Sequence, residues 1–183
     1  AAAVQRGPLW WAAHHRKHHR VSDQKTDVHS PITNSFLWSH MGWFLAPVNA
    51  PTDLKAVNDL AKYPELRWLD RFDLVIPIAL GTLTFFFGVA LNALWPQLGT
   101  SGMQMLIVGF FLSTVLVSHC TYTINSLAHR WGSRRYETGD FSRNNFALAL
   151  ITFGEGWHNN HHYYPASARQ GFYWWEIDIS FYV

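Results

Sequence analysis

The longest apolar stretch of the chain lies between Asp73 and Arg130, and it contains no Asp, Glu, Lys or Arg. Its two most hydrophobic parts, Leu74–Trp95 and Met103–Ile124, have 22 residues each. As helices they would be about 33 Å long, which matches the roughly 30 Å hydrocarbon core of a bilayer. The pattern therefore predicts two membrane-spanning helices, at about residues 74–95 and 103–124.

The residues Pro96–Gly102 between these spans include a helix-breaking proline and no charge, which predicts a tight antiparallel hairpin. Both flanks of the hairpin must then lie on one side of the membrane. The flanks contain all 14 Lys and Arg residues, and the positive-inside rule places them in the cytoplasm. A buried hairpin in a large soluble core is the less favoured alternative.

Three shorter apolar stretches, residues 36–48, 146–153 and 172–183, are too short to cross a bilayer. We interpret them as interfacial or re-entrant pieces, and the Trp- and Tyr-rich C-terminal stretch as an interfacial helix. The charged residues 50–72 are interpreted as a solvated connector without chemistry. The expected fold class is all-α: an integral membrane protein with one transmembrane helical hairpin, interfacial helices and a cytoplasmic histidine-rich cap.

The amino-acid composition excludes several classes of protein. A chain of 183 residues is long enough for one domain, which we place at residues 1–183. Charged residues make up 14%, against roughly 25% in an ordinary soluble domain. The single cysteine excludes a disulfide framework and a Cys-rich zinc module. A net charge of +2 gives no basic field of the kind that nucleic acid requires.

Eleven histidines are the unusual feature, and six of them occur in two copies of one spacing. The copies are HRKHH, with His15, His18 and His19, and HNNHH, with His158, His161 and His162. Residues at i, i+3 and i+4 share one face of a helix, so three imidazoles can converge on one or two metal ions. The repeated spacing therefore predicts a metal site.

A seventh candidate ligand, His129, comes just after the second predicted span, and Asn125 lies one turn earlier on the same helix face. An ordinary polar cap at the membrane surface is the alternative for this pair. Four other histidines are predicted to be structural or to support ligands rather than to bind metal. They are His14, His29, His40 and His119.

Imidazole ligands without thiolates suit iron, copper, zinc or nickel. Seven ligands exceed the needs of one ion, so the set favours a two-metal site. Nearby carboxylates are expected to hold the far ring nitrogen of ligand histidines and so fix their tautomers. The candidates for this role are Asp23, Asp27 and Glu155.

Five motifs resemble those of the membrane-bound fatty acyl-CoA desaturases, specifically the delta-9 type in its bacterial form. They are HRKHHRVSD (15–23), TDVHSP (26–31), SHMGW (39–43), NSLAHRWG (125–132) and GEGWHNNHHYYP (154–165). The resemblance covers nearly the whole chain. It implies two non-haem iron ions, held by the seven histidines, with Asn125 contacting a metal through water.

The same resemblance implies an oxidoreductase that uses O2 and two electrons from an electron-carrier protein and its reductase. The product would be a cis double bond in a saturated acyl chain, supplied as acyl-CoA or as another acyl thioester or lipid. Trp43, Thr121 and Tyr122 match positions that line the substrate channel of the family. The basic residues Arg16, Lys17 and Arg20 are candidates for contacts with a CoA phosphate or an acidic electron carrier, or form a solvated or lipid-contacting face.

The family pattern also has a first histidine box with two ligands, which is expected before Trp10 and is absent from this chain. We therefore interpret the chain as a fragment, and expect it to bind metal poorly and to turn over little by itself. Two rival functions stay open. One is a histidine-rich di-iron hydroxylase or alkane oxygenase, and the other is a non-catalytic zinc-binding membrane protein.

Overall fold

The structure is a computed structural model that describes residues 2–183. Its main helices are α1 (Pro8–Val21), α2 (Pro64–Arg71), α3 (Val75–Leu94), α4 (Gly102–His129), α5 (Phe146–Ile151), α6 (His158–Tyr163) and α7 (Ile179–Tyr182). A π-helical stretch, Met105–Leu112, lies within α4. Between residues 2 and 183 there are isolated β-bridges but no strand, so the predicted all-α class is confirmed.

The chain divides into two compact units, and the division falls within α1 and α4. We call the first the hairpin unit; it comprises the residues up to Ala13 and Thr52–Ser118. We call the second the histidine unit; it comprises His14–Pro51 and His119–Val183. The candidate chemistry lies in the histidine unit, while the hairpin unit contains the most apolar part of the chain.

The hairpin unit contains the predicted hairpin, formed by α3 and the first part of α4. The helices approach closely at two glycines: a Cβ on Gly88 would lie 2.6 Å from the carbonyl oxygen of Ser101, and one on Gly102 would lie 2.9 Å from the Phe85 ring. Between the helices, Gly99 adopts the left-handed conformation that ends the connecting turn, with φ of 62°. Small residues therefore set the spacing of the hairpin.

The apolar side chains of this hairpin point outward. In the most hydrophobic part of each helix, 17% of α3 and 6% of α4 is buried within the protein. Leu83, Phe86 and Leu116 are 67%, 60% and 58% exposed. A soluble protein rarely exposes a continuous apolar surface of this kind, whereas a bilayer solvates it. Both helices are long and apolar enough to cross a membrane, as the sequence predicts.

Most residues of the segment 50–72 are exposed, as expected for a solvated connector, but the segment also contributes to a small core. Val57 is fully buried and forms a small core with Leu9 and Ala13 of α1. The Asp70 carboxylate accepts hydrogen bonds from the backbone N–H of Trp10 and the hydroxyl of Thr52, at 2.8 Å each. The buried contact of Val57 and the hydrogen bond from Trp10 to Asp70 thus hold this segment against α1.

The C-terminal stretch, residues 172–183, is not the predicted interfacial helix. Only the single turn α7 is helical. The carboxylates of Glu176 and Asp178 are almost fully buried, and they accept backbone N–H groups from residues such as Gln170, at 2.6 Å from Asp178. These buried carboxylates replace the hydrogen bonds of a regular helix. The aromatic composition gave no indication of this arrangement.

The other two short apolar stretches contain helical structure. The first includes a π-helical turn at Trp38–Gly42 that continues into Trp43–Leu45. The second is α5, which begins after Asn145, whose side-chain oxygen accepts a hydrogen bond from the backbone N–H of Leu148 at 3.1 Å. Their location at a membrane interface stays a prediction.

We expect Gly88→Val to destabilise the hairpin by about 1–3 kcal/mol, because the added side chain would overlap the backbone at Ser101. The matched control is Ala90→Val, which adds bulk at an exposed position of the same helix. Thermal unfolding in detergent, followed by tryptophan fluorescence, measures both. Equal unfolding temperatures for the two variants would contradict close packing at Gly88.

Candidate metal centre

The seven histidines predicted to be ligands lie within the histidine unit and form two groups. Within each group, the potential ligand atoms lie within 4.8 Å of one another. The four-histidine group consists of His18, His129, His158 and His162. The three-histidine group consists of His15, His19 and His161. The first is the more deeply buried of the two.

The helical spacing of the two HxxHH motifs explains how the groups form. In α1, the i and i+4 residues His15 and His19 enter the three-histidine group, while His18 enters the other. In α6 the assignment is reversed, because the i and i+4 residues, His158 and His162, enter the four-histidine group. Each motif therefore supplies a pair of ligands to one group and a single ligand to the other.

The four-histidine group is tightly packed. The Nε2 atoms of His129 and His158 are 3.0 Å apart, and the ring centroids of His158 and His162 are 4.4 Å apart. The ring of His18 lies 5.3 Å from that of His129 and 5.1 Å from that of His162. His129 stands at the C-terminal end of α4.

In the three-histidine group, the Nε2 atoms form a nearly equilateral triangle. The distances are 3.1 Å between His15 and His19, 2.9 Å between His19 and His161, and 3.3 Å between His15 and His161. Two nitrogen ligands at right angles, each about 2.1 Å from one ion, are about 3.0 Å apart. The triangle thus has the size of one face of a metal coordination shell.

Three carboxylates hold the Nδ1 atoms of histidines in the four-histidine group. Asp27 lies 2.9 Å from Nδ1 of His18, and Asp23 lies 2.7 Å from Nδ1 of His129. A third carboxylate, Asp140, lies 2.6 Å from Nδ1 of His162. Because an ionised carboxylate only accepts hydrogen bonds, each Nδ1 carries the proton and each Nε2 keeps its lone pair.

The turn after α1 places the first two of these carboxylates. Asp23 has a positive φ of 58°, and its backbone N–H donates to Asp27 at 2.9 Å. The Asp23 carboxylate also accepts from the Ser30 hydroxyl and the Phe141 backbone N–H. Although burial acts in the opposite direction, the hydrogen bonds with His129 and these groups lower the pKa of Asp23. It therefore stays ionised beside its histidine.

Two of the carboxylate assignments differ from what sequence reasoning proposed. Asp140 was missed, because it lies 22 residues from His162 and only the folded loop brings the two together. Glu155, in contrast, makes no hydrogen bond to a ligand histidine anywhere in residues 2–183. Burial and the nearby charge of Asp178 raise the pKa of Glu155, whereas the pKa values of Asp23, Asp27 and Asp140 are lowered.

Five of the seven candidate ligand histidines have lowered pKa values. Burial, reinforced by neighbouring imidazoles, lowers the pKa of His15 to about 3 and that of His19 to about 2. Burial likewise lowers the pKa of His161 and His162 to about 4, and that of His158 well below 6.5. Neutral imidazole is the form that binds metals, so the site is prepared for ligation at neutral pH.

Two further polar residues adjoin these groups. Asn125 lies one turn before His129 on α4, and its backbone oxygen accepts the hydroxyl of Ser39 at 2.9 Å. No described residue hydrogen-bonds its side-chain amide, which leaves that amide available to a water. His29 is buried and stacks on His18, with ring centroids 4.3 Å apart. Burial lowers the pKa of His29 well below 6.5, so its Nδ1, which lies 3.7 Å from Asp27, belongs to a neutral ring and forms no ion pair.

Two of the three residues proposed to line a substrate channel are joined through an aromatic contact. Phe44 lies 5.8 Å from Trp43 and 4.8 Å from Tyr122, measured between ring centroids. Thr121 precedes Tyr122 on α4. Beside them, His40 and His119 hydrogen-bond each other at 3.0 Å, away from both metal-ligand groups. The channel itself stays a prediction.

A polar cleft of about 280 Å³ opens next to the candidate metal centre. Its walls include one histidine from each group, His19 and His162, together with Arg20, Asp140 and Tyr163. Solvent or a dissolved reactant could therefore approach both groups from one side.

The donor set fits metal ions. It offers seven imidazoles, and His162 Nε2 is buried without a hydrogen-bond partner although it faces the four-histidine group. An unpaired buried nitrogen is costly unless it has a ligand. The two groups are therefore able to hold metal ions, and the absence of thiolates favours iron, copper, zinc or nickel over softer or harder ions.

Comparison with known proteins agrees with this donor set. A family model described as fatty acid desaturase matches residues 1–179. The chain is 38% identical over 179 residues to the sn-1 stearoyl-lipid 9-desaturase of Anabaena variabilis, which covers 97% of this chain and 61% of that protein. It is 39% identical over 190 residues to the icosanoyl-CoA 5-desaturase of Limnanthes douglasii, covering 99% and 48%.

A third relative is the chloroplastic palmitoyl-monogalactosyldiacylglycerol delta-7 desaturase of Arabidopsis thaliana, which is 37% identical over 187 residues. The match covers 100% of this chain and 46% of that protein. The chain thus spans about half to three fifths of the length of these curated relatives. By their names, the relatives differ both in the position of the double bond and in the carrier of the acyl chain.

The metal-free protein should become less stable as the pH falls from about 6.5 towards 4. A histidine whose pKa is lower in the folded than in the unfolded chain binds fewer protons when folded, so acid stabilises the unfolded state. We expect the unfolding temperature of chelator-treated protein to fall by about 5 °C or more from pH 7 to pH 5. Differential scanning fluorimetry measures this shift.

The double variant His15→Gln with His161→Gln is the control for this pH effect. It removes two histidines with strongly lowered pKa values, so its unfolding temperature should depend less on pH. An unfolding temperature of the unsubstituted protein that does not change over this range would contradict the neutral, buried state of the cluster.

Proposed function

Because the chain belongs to the fatty acid desaturase family, we propose that it is the metal-binding part of a membrane desaturase. The proposed reaction introduces a cis double bond at the delta-9 position of a saturated acyl-CoA. One observation carries the proposal: two HxxHH motifs and His129 interleave into two imidazole groups, and this supports a two-metal site over a single zinc site.

In this proposal the seven histidines hold two iron ions, which supply the O2-dependent oxidation of an unactivated C–H bond. The protein residues orient and protect the site. Asp23, Asp27 and Asp140 keep three Nδ1–H groups engaged, so that the Nε2 lone pairs face the four-histidine group. The side chain of Asn125, one turn before His129, would hold a water.

The overall reaction balances with an external reductant. The acyl chain loses two hydrogens from adjacent methylenes, an electron-carrier protein and its reductase supply two electrons, and solvent supplies two protons. One O2 is reduced to two waters. The polar cleft beside His19 and His162 supports this scheme, because it gives water and a reductant access to both groups from one side.

Selectivity for one methylene requires apolar walls, because an alkyl chain has no charge to bind. We assign this role to Trp43, Thr121 and Tyr122. The contacts of Phe44 with Trp43 and Tyr122 support a rigid wall. The exposed basic residues Lys17 and Arg20, on the same helix as three ligands, favour the phosphates of CoA over a neutral glycolipid head group.

We place the metal centre on the cytoplasmic side of the membrane. All Lys and Arg residues lie outside the segment from Leu74 to His129, and the positive-inside rule assigns such flanks to the cytoplasm. Acyl-CoA and soluble electron carriers are also present there. The orientation is therefore compatible with the proposed substrate and reductant.

Metal analysis is the first test. We expect about two iron ions per molecule of the whole desaturase of which this chain would be the metal-binding part, when it is purified from its membranes without chelators. The double variant His158→Ala with His161→Ala removes one imidazole from each group, and should lose most of the iron. The matched double variant His40→Ala with His119→Ala also removes two imidazoles, but outside both groups, and should keep it.

Two results would contradict the di-iron proposal. One zinc ion per molecule would favour the non-catalytic zinc-binding alternative. Equal iron loss in both double variants would show that the HxxHH motifs are not specific ligands.

Product analysis is the second test. The whole desaturase of which this chain would be a part, in membranes and given stearoyl-CoA, O2 and a donor system, should form the cis-9 monoene, and its His158→Ala with His161→Ala variant should form at least 100-fold less. Gas chromatography with mass spectrometry measures both. A hydroxylated chain as the main product would instead support the hydroxylase alternative. Conversion of lipid-linked but not CoA-linked chains would reject the acyl-CoA assignment.

A further inference from the structure

Asn159 lies between the candidate ligands His158 and His161 in α6, and it is fully buried. Its side-chain oxygen accepts hydrogen bonds from the backbone N–H groups of Arg135 and Tyr136, at 2.9 and 2.8 Å. Its side-chain nitrogen donates to the backbone oxygen of Tyr136 at 3.1 Å. The side-chain amide of Asn159 therefore bonds to the neighbouring loop and not to the imidazoles on either side of it in the motif.

The same nitrogen also faces two hydroxyls on the neighbouring loop. It lies 3.4 Å from the Thr138 hydroxyl and 3.4 Å from the Ser142 hydroxyl. The amide nitrogen has two hydrogens and only donates: one hydrogen goes to Tyr136, and the two hydroxyls share the other as acceptors. Their own hydrogens are then directed elsewhere.

Both hydroxyl hydrogens are directed to one carboxylate oxygen. Thr138 and Ser142 donate to Oδ1 of Asp140 at 2.8 and 2.6 Å, and the Ser142 backbone N–H donates to the same oxygen at 3.0 Å. The other oxygen, Oδ2, accepts from Nδ1 of His162 at 2.6 Å. A continuous path of hydrogen bonds thus leads from Asn159 through two hydroxyls and a carboxylate to a ligand histidine.

We propose that Asn159 is a positioning residue for the metal centre: it fixes the direction of the Thr138 and Ser142 hydroxyls, and these hold Asp140 in place against His162. The inference rests on the proposed metal-binding function of the four-histidine group. It adds a residue that is not a candidate ligand and that hydrogen-bonds to none of the seven histidines. Its effect on His162 passes entirely through the loop.

The consequence for His162 is geometric. With Asp140 fixed, the Nδ1–H of His162 has one direction to point, so its Nε2 is held facing the four-histidine group. That nitrogen is buried and has no hydrogen-bond partner. A ring free to rotate would satisfy the nitrogen elsewhere and would remove one ligand from the group.

The adjacent residue, Asn160, shows that burial in this helix does not by itself create the path. Asn160 is also fully buried, but its side-chain nitrogen donates to the Gln170 backbone oxygen and to Glu176, both at 2.9 Å. Its side-chain oxygen accepts from Asn144 at 2.7 Å. It thus joins α6 to the C-terminal segment, and it makes no hydrogen bond to Thr138, Asp140 or Ser142.

The test is Asn159→Asp. The new carboxylate still accepts the N–H groups of Arg135 and Tyr136, so the helix stays attached to the loop. It cannot donate, however, and would accept the hydroxyl hydrogens of Thr138 and Ser142, which withdraws them from Asp140. We expect the affinity for Co2+, followed by its visible absorption in chelator-treated protein, to fall about 10–100-fold.

A double-variant comparison distinguishes positioning from general damage. Asp140→Asn should weaken Co2+ binding by itself, and the combination with Asn159→Asp should be no weaker than Asp140→Asn alone, because both act on the same path. Asn145→Asp is the matched control. Asn145 is a buried helix cap with no contact to Asp140, and aspartate caps equally well, so its Co2+ affinity should stay within about threefold.

Each other outcome has a defined meaning. Unchanged Co2+ affinity in Asn159→Asp, or a loss that adds fully to that of Asp140→Asn, overturns the positioning role. If Asn159→Asp does not fold by circular dichroism, Ser142→Ala decides: it removes one donor to Asp140, so weaker Co2+ binding supports the path and unchanged binding overturns it.

The experiment also separates this inference from the proposed function. It measures metal affinity and not product, so failure to desaturate an acyl chain does not affect it. Unsubstituted protein that binds no Co2+ would overturn the metal-centre proposal and the role of Asn159 together. Normal binding by unsubstituted protein, with no effect of Asn159→Asp, would overturn the role of Asn159 alone.

Discussion

Close packing of uncharged imidazoles is the constraint on which the histidine unit depends. In the three-histidine group the Nε2 atoms are 2.9–3.3 Å apart, so protonated rings would repel one another strongly. Burial makes each positive charge more costly still. The groups can therefore exist without metal only while their rings are neutral. A metal ion removes this difficulty, since it satisfies the facing lone pairs at once. The rest of the unit holds the rings in place for that purpose.

Buried carboxylates organise the backbone around the rings. Asp23 joins a ligand histidine to the turn after α1 and to the loop at Phe141. Asp140 does the same for the loop that carries Thr138 and Ser142. Much of the histidine unit is irregular, because its backbone N–H groups donate to carboxylates rather than to helix or sheet partners. These hydrogen bonds hold the irregular segments in place and direct side chains that a regular helix could not place.

Some of this arrangement could be predicted from the sequence because it depends on local periodicity. The charge-free segment indicates the two spans, and the HxxHH spacing indicates three imidazoles on one helix face. The partner of His162 could not be predicted, because Asp140 reaches it only through the fold of a loop. The C-terminal segment was predicted wrongly for a related reason: Glu176 and Asp178 are stabilised by distant backbone groups, while the local signal was its aromatic content.

The reversed assignment of the two motifs also determines which changes in sequence the site can accept. A helix turns about 100° per residue, so one residue inserted between His15 and His19 would rotate the later histidines away from their groups. The same insertion between His158 and His162 would have the same effect on the opposite groups. In the first motif the exposed Lys17 can be exchanged at moderate cost. In the second motif Asn159 is buried, and the positioning role proposed for it depends on its identity. The number of residues between the histidines is constrained in both motifs, because it determines which group each histidine enters.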